Sequence, residues 1–246
     1  MKIPTIRGVI DRRILVNFQV DPEVLSKFLP GPFSPKLAGG SGIAGVCLIR
    51  LKEIRPRLVP SQFGISSENA AHRIAVEWSS EGQFREGVYI PRRDTTSRLN
   101  TFLGGRLFPG YHHPAHFDVD EVDGSYSVAL RSKDGEVHLE VVGRVASELP
   151  RESVFASLEE ASVFFERGSV GYSATPKPGR FDGLELRSHS WRVEPLAVER
   201  VHSSFFSNEE IFPKGSVRFD CALLMRGIEH EWHAREPLCH CEYSAA

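Results

Sequence analysis

The stretch that organises the chain is Arg85–His116, with the sequence REGVYIPRRDTTSRLNTFLGGRLFPGYHHPAH. Residues Arg85–Ile90 predict a short strand, and Pro91 predicts a corner after it. Asp94 or Thr95 is the predicted cap of a helix that ends at Gly104-Gly105. Five arginines and three histidines lie in this stretch, which contains no lysine. Because polar groups at corners between rigid elements often bind ligands, we expect a site here.

Strand signals dominate on both sides of this stretch. The turn pairs Asp123-Gly124 and Asp134-Gly135 predict hairpins that join three strands at Phe117–Val122, Ser125–Ser132 and Glu136–Ala146. Further strands are predicted at Arg13–Val20, Gly42–Ile54, Leu184–Glu194, Leu196–Val201 and Val217–Met225, and around Ile74, Val76 and Trp78, where one face should be wet. Pro56 and Pro60 should leave a mobile loop to about Ser67.

Two helices carry start signals outside the central stretch. Asp21-Pro22-Glu23 places a capping aspartate before a proline, and Ser157 with Glu160 forms a capping-box pattern. The hairpins interlock with the helices along the chain, so residues 1–246 are expected to form one domain. The fold class predicted is α+β, mainly β, with helices outside an antiparallel sheet.

Composition excludes several classes of partner. A net charge of −2 gives no reason to expect nucleic acid. The first residues lack the apolar run of a signal peptide, and no stretch is apolar enough to span a bilayer, so no membrane association is expected. The four cysteines form no regular framework, which favours a reducing cytoplasm. A homo-oligomer is left open.

Candidate catalytic and metal groups each have an ordinary alternative. Arg92 and Arg93 fit a bidentate carboxylate clamp or a solvated corner, and Glu68 fits a general acid or base or a turn residue. The histidines from His112 to His116, and the run from His230 to Cys241, match no common zinc spacing, so no metal is expected. No phosphate loop, dinucleotide fingerprint or nucleophile elbow is present, so no cofactor is expected.

Several short motifs resemble the acetoacetate decarboxylase-like superfamily. The run Val20–Pro30 resembles an early helix of acetoacetate decarboxylase, and Glu68 falls where that enzyme has its catalytic glutamate. Ile90-Pro91-Arg92-Arg93 falls where it has an aromatic-Pro-Lys-Lys motif. More closely, Gly105–Tyr111 and Leu223–Arg226 resemble the YqjF-like bacterial proteins of unknown function in the same superfamily.

This resemblance implies a β-barrel or cone with a pocket in its mouth. It also implies that Arg92 stands in place of the lysine that forms a Schiff base with the ketone. A guanidinium stays protonated and is a poor nucleophile, and no lysine lies between Lys52 and Lys133. A Schiff-base decarboxylase is therefore not expected, although the pocket can persist.

The sequence thus favours a protein that binds a small organic anion, or an enzyme that does not use a Schiff base. One alternative is a lyase or hydrolase acting on a keto acid, with Glu68 as general acid or base and Arg92 as an electrophilic clamp. Another is an interaction module with a vestigial pocket. In the first two, Glu68 and Arg92 share one cavity, and the other expected ligand-binding residues are Arg93, Arg12, Arg106 and Tyr111.

Overall fold

The computed structural model describes residues 5–80, 82–97 and 109–240, which form a mainly β fold. The strands are β1 (Ile6–Val20), β2 (Ser34–Pro35), β3 (Leu37–Ala38), β4 (Ser41–Pro56), β5 (Ile65–Ser80), β6 (Gln83–Thr95), β7 (His112–Val122), β8 (Ser125–Ser132), β9 (His138–Val145), β10 (Val170–Ala174), β11 (Arg180–Ser188), β12 (Glu194–Ser203) and β13 (Val217–Cys239). The α-helices in these ranges are α1 (Pro22–Phe28) and α2 (Leu158–Glu166).

All of these strands belong to one hydrogen-bonded sheet. Its order is β11-β10-β6-β7-β8-β9-β12-β13-β1-β4-β5-β2, with β3 beside β4. Two further pairings, β5 with β6 and β11 with β13, close the strands into two rings. Both rings contain the strands β13, β1, β4, β5 and β6, which we call the shared wall. Most pairs are antiparallel as predicted, whereas β6 pairs in parallel with β7 and with β10.

The shared wall is buried on both faces, with one apolar core on each. Side chains alternate along β1, so that Ile14 and Val16 enter the first core while Leu15 enters the second. Strands β7 to β9 cover the first core, and α2 covers the second. The wet face predicted for β5 is therefore wrong, because Arg73 and Ala75 on that face are 5% and 4% exposed.

Local start and turn signals were correct. Asp21 caps α1 by accepting from the Glu23 amide at 2.8 Å, and Ser157 caps α2 by accepting from the Glu160 amide at 3.1 Å. At Asp123 and Gly124 both φ angles are positive, 50° and 78°, as a tight hairpin turn with right-handed strands requires. These features depend on neighbouring residues only, so a local pattern was enough to predict them.

The central stretch differs from its prediction. Strand β6 continues through Pro91 to Thr95, so no corner separates Tyr89 from the two arginines. The helix predicted after Asp94 or Thr95 lies largely outside the described residues. Strand β5 starts at Ile65 and shortens the expected loop. No helix in the described ranges is long and apolar enough to cross a membrane.

The last strand is also longer than predicted. It was expected to end near Met225, but β13 runs to Cys239 and pairs with both β1 and β11. The histidine-rich run around His230 is therefore part of the sheet and not a frayed end. His230 itself is 1% exposed and packs its ring against Trp232 at 4.2 Å.

Candidate functional site

A cavity of about 130 Å³ lies on the second-core face of the shared wall. Three arginines line it, Arg13, Arg73 and Arg93, and we call it the arginine pocket. Its apolar lining includes Leu15, Ile49, Ile90, Phe165, Leu184 and Trp232. A lining of guanidinium groups and apolar side chains suits a ligand with an anionic end and a small apolar body.

The strand register explains why these side chains meet. Leu15 is opposite Cys47, Cys47 opposite Ala71, and Ala71 opposite Arg93, so the four residues form a row across β1, β4, β5 and β6. Residues that are directly opposite share a face of the sheet. Ala71 has the smallest side chain of the row, which leaves open space between Cys47 and Arg93, whose Cα atoms are about 10 Å apart.

Arg73 is the most deeply buried of the three arginines. Its guanidinium donates a short hydrogen bond to the Asn17 side chain and lies over the Phe165 ring, 4.9 Å from the centroid. Its Nε atom is buried and has no hydrogen-bond partner in the described part of the chain. Burial lowers the pKa of Arg73 to about 10.

Arg93 reaches the pocket from the next strand. It donates to the Ser173 hydroxyl at 3.5 Å, while its buried Nε lacks a partner within the described ranges. Burial lowers the pKa of Arg93 to about 10 as well. Gly110, with φ of 85°, packs against both residues, and a Cβ atom there would lie 2.8 Å from Ser173 Cβ. A glycine is therefore needed at this corner.

The charge of the pocket is not balanced by acidic groups. Arg13 donates to the Cys47 sulfur at 3.2 Å and lies over Trp191, 5.7 Å from the ring centroid. Across residues 5–80, 82–97 and 109–240, none of the three arginines forms an ion pair with a carboxylate. Lys36 also lines the cavity, but its ammonium is bonded to Glu86 at 2.7 Å. Unpaired buried cations are costly, so an anion would stabilise this arrangement.

A second cavity of about 70 Å³ adjoins the arginine pocket. Both cavities are lined by Arg93, Ala71 and Trp232, and the second is also lined by the buried Asp94. The second cavity also contacts Asn69 and His112. Arg93 therefore contributes to the lining of both cavities.

Glu68 lies on the other face of the shared wall. It belongs to β5 and is opposite Arg50, and its two carboxylate oxygens accept from Arg12 and Arg50 at 2.5 Å each. Arg12, only 1% exposed, also bonds Glu121 at 3.0 Å. Two arginines and two glutamates thus form a balanced cluster, which we call the Glu68 cluster.

Arg92 has separate partners on the same face as Glu68. Its guanidinium bonds Asp94 and Asp134, each at 2.9 Å, and Asp134 also bonds His113 at 2.8 Å. Asp94 is fully buried, and burial raises its pKa in spite of the bond to Arg92. Burial, followed by the charge of Arg92, lowers the pKa of nearby His72 to about 3.

The expected pairing of Glu68 with Arg92 is absent from the described contacts. Arg92 is opposite His72, four residues along β5 from Glu68, which is roughly 13 Å at the usual rise per residue. Neither residue lines the arginine pocket, the second cavity or the two other cavities found in the described chain. Arg93, on the opposite face from Arg92, lines two of them.

The remaining candidates are scattered. Arg12 lies in the Glu68 cluster, Tyr111 is 58% exposed, and Arg106 lies outside the described residues. Cys241, from the possible zinc run, is also outside them. In the part of the chain that the structure describes, no group of three histidine, cysteine or acidic residues is placed to hold a metal.

Sequence reasoning missed Arg13, Arg73 and Cys47. All three occupy strand positions that face the second core. Arg13 follows Arg12 at the start of an apolar run, and Cys47 lies inside another apolar run. Arg73 follows His72 and precedes the alternating residues of β5. Its position on the same face as Ala71 and Ala75 would have identified a buried guanidinium, had both faces of β5 been expected to be buried.

Comparison with solved structures shows the fold. Acetoacetate decarboxylase from Legionella pneumophila aligns with a TM-score of 0.63 and 13% identity, over 99% of this chain and 90% of that one. An acetoacetate decarboxylase-like enzyme from Sphingomonas wittichii gives 0.58 and 9%, over 98% and 94%. The enduracididine biosynthesis enzyme MppR complexed with pyruvate gives 0.55 and 12%, over 99% and 93%.

Comparison with curated proteins gives no match. A family model does match, and it covers residues 10–227, which is most of the chain, from within β1 to the middle of β13. The chain therefore belongs to the DUF2071 family, described as an uncharacterized conserved protein, and has an acetoacetate decarboxylase-like fold.

Proposed function

We propose that this protein binds a small organic acid in the arginine pocket. The observation that carries the proposal is the group of three guanidiniums, Arg13, Arg73 and Arg93, that line one cavity without a carboxylate partner in the described ranges. A carboxylate accepts charge-assisted hydrogen bonds from such groups and supplies the missing negative charge. We therefore assign the binding site to Arg93 and its neighbours. Arg92 and Glu68 form ion pairs on the opposite face of the shared wall.

The size of the cavity and a related protein favour a short keto acid. A cavity near 130 Å³ holds a molecule roughly the size of benzene. MppR, which shares the fold, is known complexed with pyruvate, a molecule of similar size. The carboxylate of such an acid would bond Arg73 and Arg93, and its short body would lie over Ala71. The closed rings of strands would then act as a barrel-like frame around the pocket.

The test is calorimetric titration with propionate and pyruvate, and with propionamide as the uncharged comparison. We expect both acids to bind and propionamide not to bind. Arg93→Gln should weaken both acids by about 10-fold or more, because a charge-assisted hydrogen bond contributes ~1.5–3 kcal/mol. Arg226→Gln is the matched control, since Arg226 is exposed and paired with Glu194. Equal losses in the two variants would contradict the proposal.

A second candidate is an enzyme that acts on a keto acid without a Schiff base. It is favoured by the fold shared with acetoacetate decarboxylase. Among the described residues, Lys36 is the lysine that lines the arginine pocket, and presenting a neutral amine would break its ion pair with Glu86. Borohydride added with acetoacetate or pyruvate should therefore leave no reduced adduct on the protein. An adduct on Lys36, detected by intact-mass and peptide mass spectrometry, would show that the protein does form a Schiff base.

Other expectations stay predictions. They are one domain over residues 1–246, a cytoplasmic location, and the possibility of a homo-oligomer. The lyase or hydrolase alternative, with Glu68 as general acid or base, would require one of its two hydrogen bonds to arginine to break.

A further inference from the structure

Cys47 is the cysteine that lines the arginine pocket in the described chain. It lies between Leu15 and Ala71 in the row across the shared wall, and its side chain lines the cavity. Its sulfur accepts a hydrogen bond from Arg13 Nε at 3.2 Å. The thiol is therefore accessible from the same space in which the proposed acid would lie.

Cys47 lies among positively charged side chains in this cavity. Arg73 is 5% exposed and lines the same cavity with an unpartnered Nε atom, and Arg93 lines it as well. The cavity lining contains no acidic residue within the described chain. A cysteine that is open to a cavity and lies beside cations is in the kind of environment in which reactive cysteines are found.

Cys221 shows the contrasting environment. It is fully buried, lines none of the described cavities, and burial followed by the charge of Asp220 raises its pKa. Cys239 lies on the surface at the end of β13. The described cysteines thus provide one thiol beside cations in a cavity, one inert buried thiol and one ordinary exposed thiol.

We propose that Cys47 is the nucleophile of the arginine pocket, and that it attacks acids with an electrophilic carbon beside the carboxylate. This inference rests on the proposed function. With the carboxylate held by Arg73 and Arg93, the neighbouring carbon lies over Ala71, toward the Cys47 sulfur. For a 2-oxo acid, the sulfur–carbon bond forms as the carbonyl π bond breaks. The thiol proton ends on the carbonyl oxygen, and the product is a reversible hemithioketal that needs no oxidant.

The test compares alkylation by iodoacetate and by iodoacetamide. Both reagents form a sulfur–carbon bond and release iodide, but only iodoacetate carries a carboxylate. Peptide mapping by mass spectrometry gives the rate at each cysteine of the intact protein. The ratio of the iodoacetate rate to the iodoacetamide rate should be at least about 10-fold higher at Cys47 than at Cys239. Propionate should slow the labelling of Cys47 and leave Cys239 unchanged.

The variants separate this inference from the proposed function. Arg93→Gln should lower the ratio at Cys47 toward that at Cys239, and Cys47→Ser should remove the fast-labelled peptide. If propionate binds in calorimetry but the ratios at Cys47 and Cys239 are equal, the nucleophile is rejected and the acid site stands. If propionate does not bind and iodoacetate shows no preference for Cys47, both proposals are rejected.

Discussion

Arg93→Met should unfold at a higher temperature than the parent protein in buffer free of organic acids. The parent chain holds the Arg93 guanidinium in a mostly buried position without a carboxylate partner, and methionine removes that desolvated charge while retaining an apolar stem. We expect a gain of about 1–3 kcal/mol, or roughly 2–4 °C for each kcal/mol in a chain of this size. The same variant should lose propionate binding, and with it the rise in melting temperature that propionate gives the parent protein.

Arg92→Met is the matched control, because the two arginines are adjacent in sequence and lie on opposite faces of β6. Arg92 is bonded to Asp94 and Asp134, and its loss leaves the fully buried Asp94 carboxylate without its arginine. We expect a destabilisation of about 3–5 kcal/mol with propionate binding retained. Thermal and urea unfolding with and without propionate measure both effects. A destabilised Arg93→Met, or loss of binding only in Arg92→Met, would reverse the assignment of the two residues.

The local elements of the fold followed from short patterns. The caps at Asp21 and Ser157 and the turn at Asp123-Gly124 depend on residues within one turn of each other, so their chemistry is visible in the sequence. Closing the strands into two rings depends on pairings such as β11 with β13, which join residues far apart in the chain. No local pattern specifies such a pairing.

The orientation of the arginine pair was the decisive point that the sequence did not reveal. Pro91 predicted a corner, but the strand continues, and an irregularity in the pairing of β5 with β6 lies between His72 and Ile74. Such an irregularity shifts which side chains share a face. Arg93, and not Arg92, consequently faces the cavity beside Arg73.

The resemblance to acetoacetate decarboxylase was informative about the fold and less so about the residues. It placed Arg92 where the decarboxylase has its reactive lysine, whereas in the structure Arg92 bonds Asp94 and Asp134 and lines none of the described cavities. Arg73 was missed because it follows His72 in a strand that was expected to have one wet face, and Cys47 was missed because it lies in a nearly apolar run. Only the register across β4, β5 and β6 shows that they converge with Arg93.

Glu68→Leu should destabilise the protein by about 3–5 kcal/mol, since it removes one partner from a buried ion pair. Arg12 is 1% exposed and would keep only Glu121, while Arg50 is half-buried and retains Glu121 and Asp11. The double variant Arg12→Met/Glu68→Leu should recover most of the loss, because removing both charges leaves no uncompensated guanidinium in the cluster core. Urea unfolding of the two single variants and the double variant measures this coupling.

Binding in the same variants decides what Glu68 does. The Glu68 cluster lies on the face of the shared wall that carries Ala70, whereas the arginine pocket lies on the face that carries Ala71. Propionate and pyruvate should therefore bind the folded Arg12→Met/Glu68→Leu protein with affinities within about 3-fold of the parent, less than the ~1.4 kcal/mol of a tenfold change. Loss of binding in this variant, at full stability, would place Glu68 in the ligand site and restore its role as a general acid or base. Retained binding would mean that Glu68 has a structural role. It neutralises the buried charge of Arg12 and so stabilises the strand pairing of the shared wall beneath the arginine pocket.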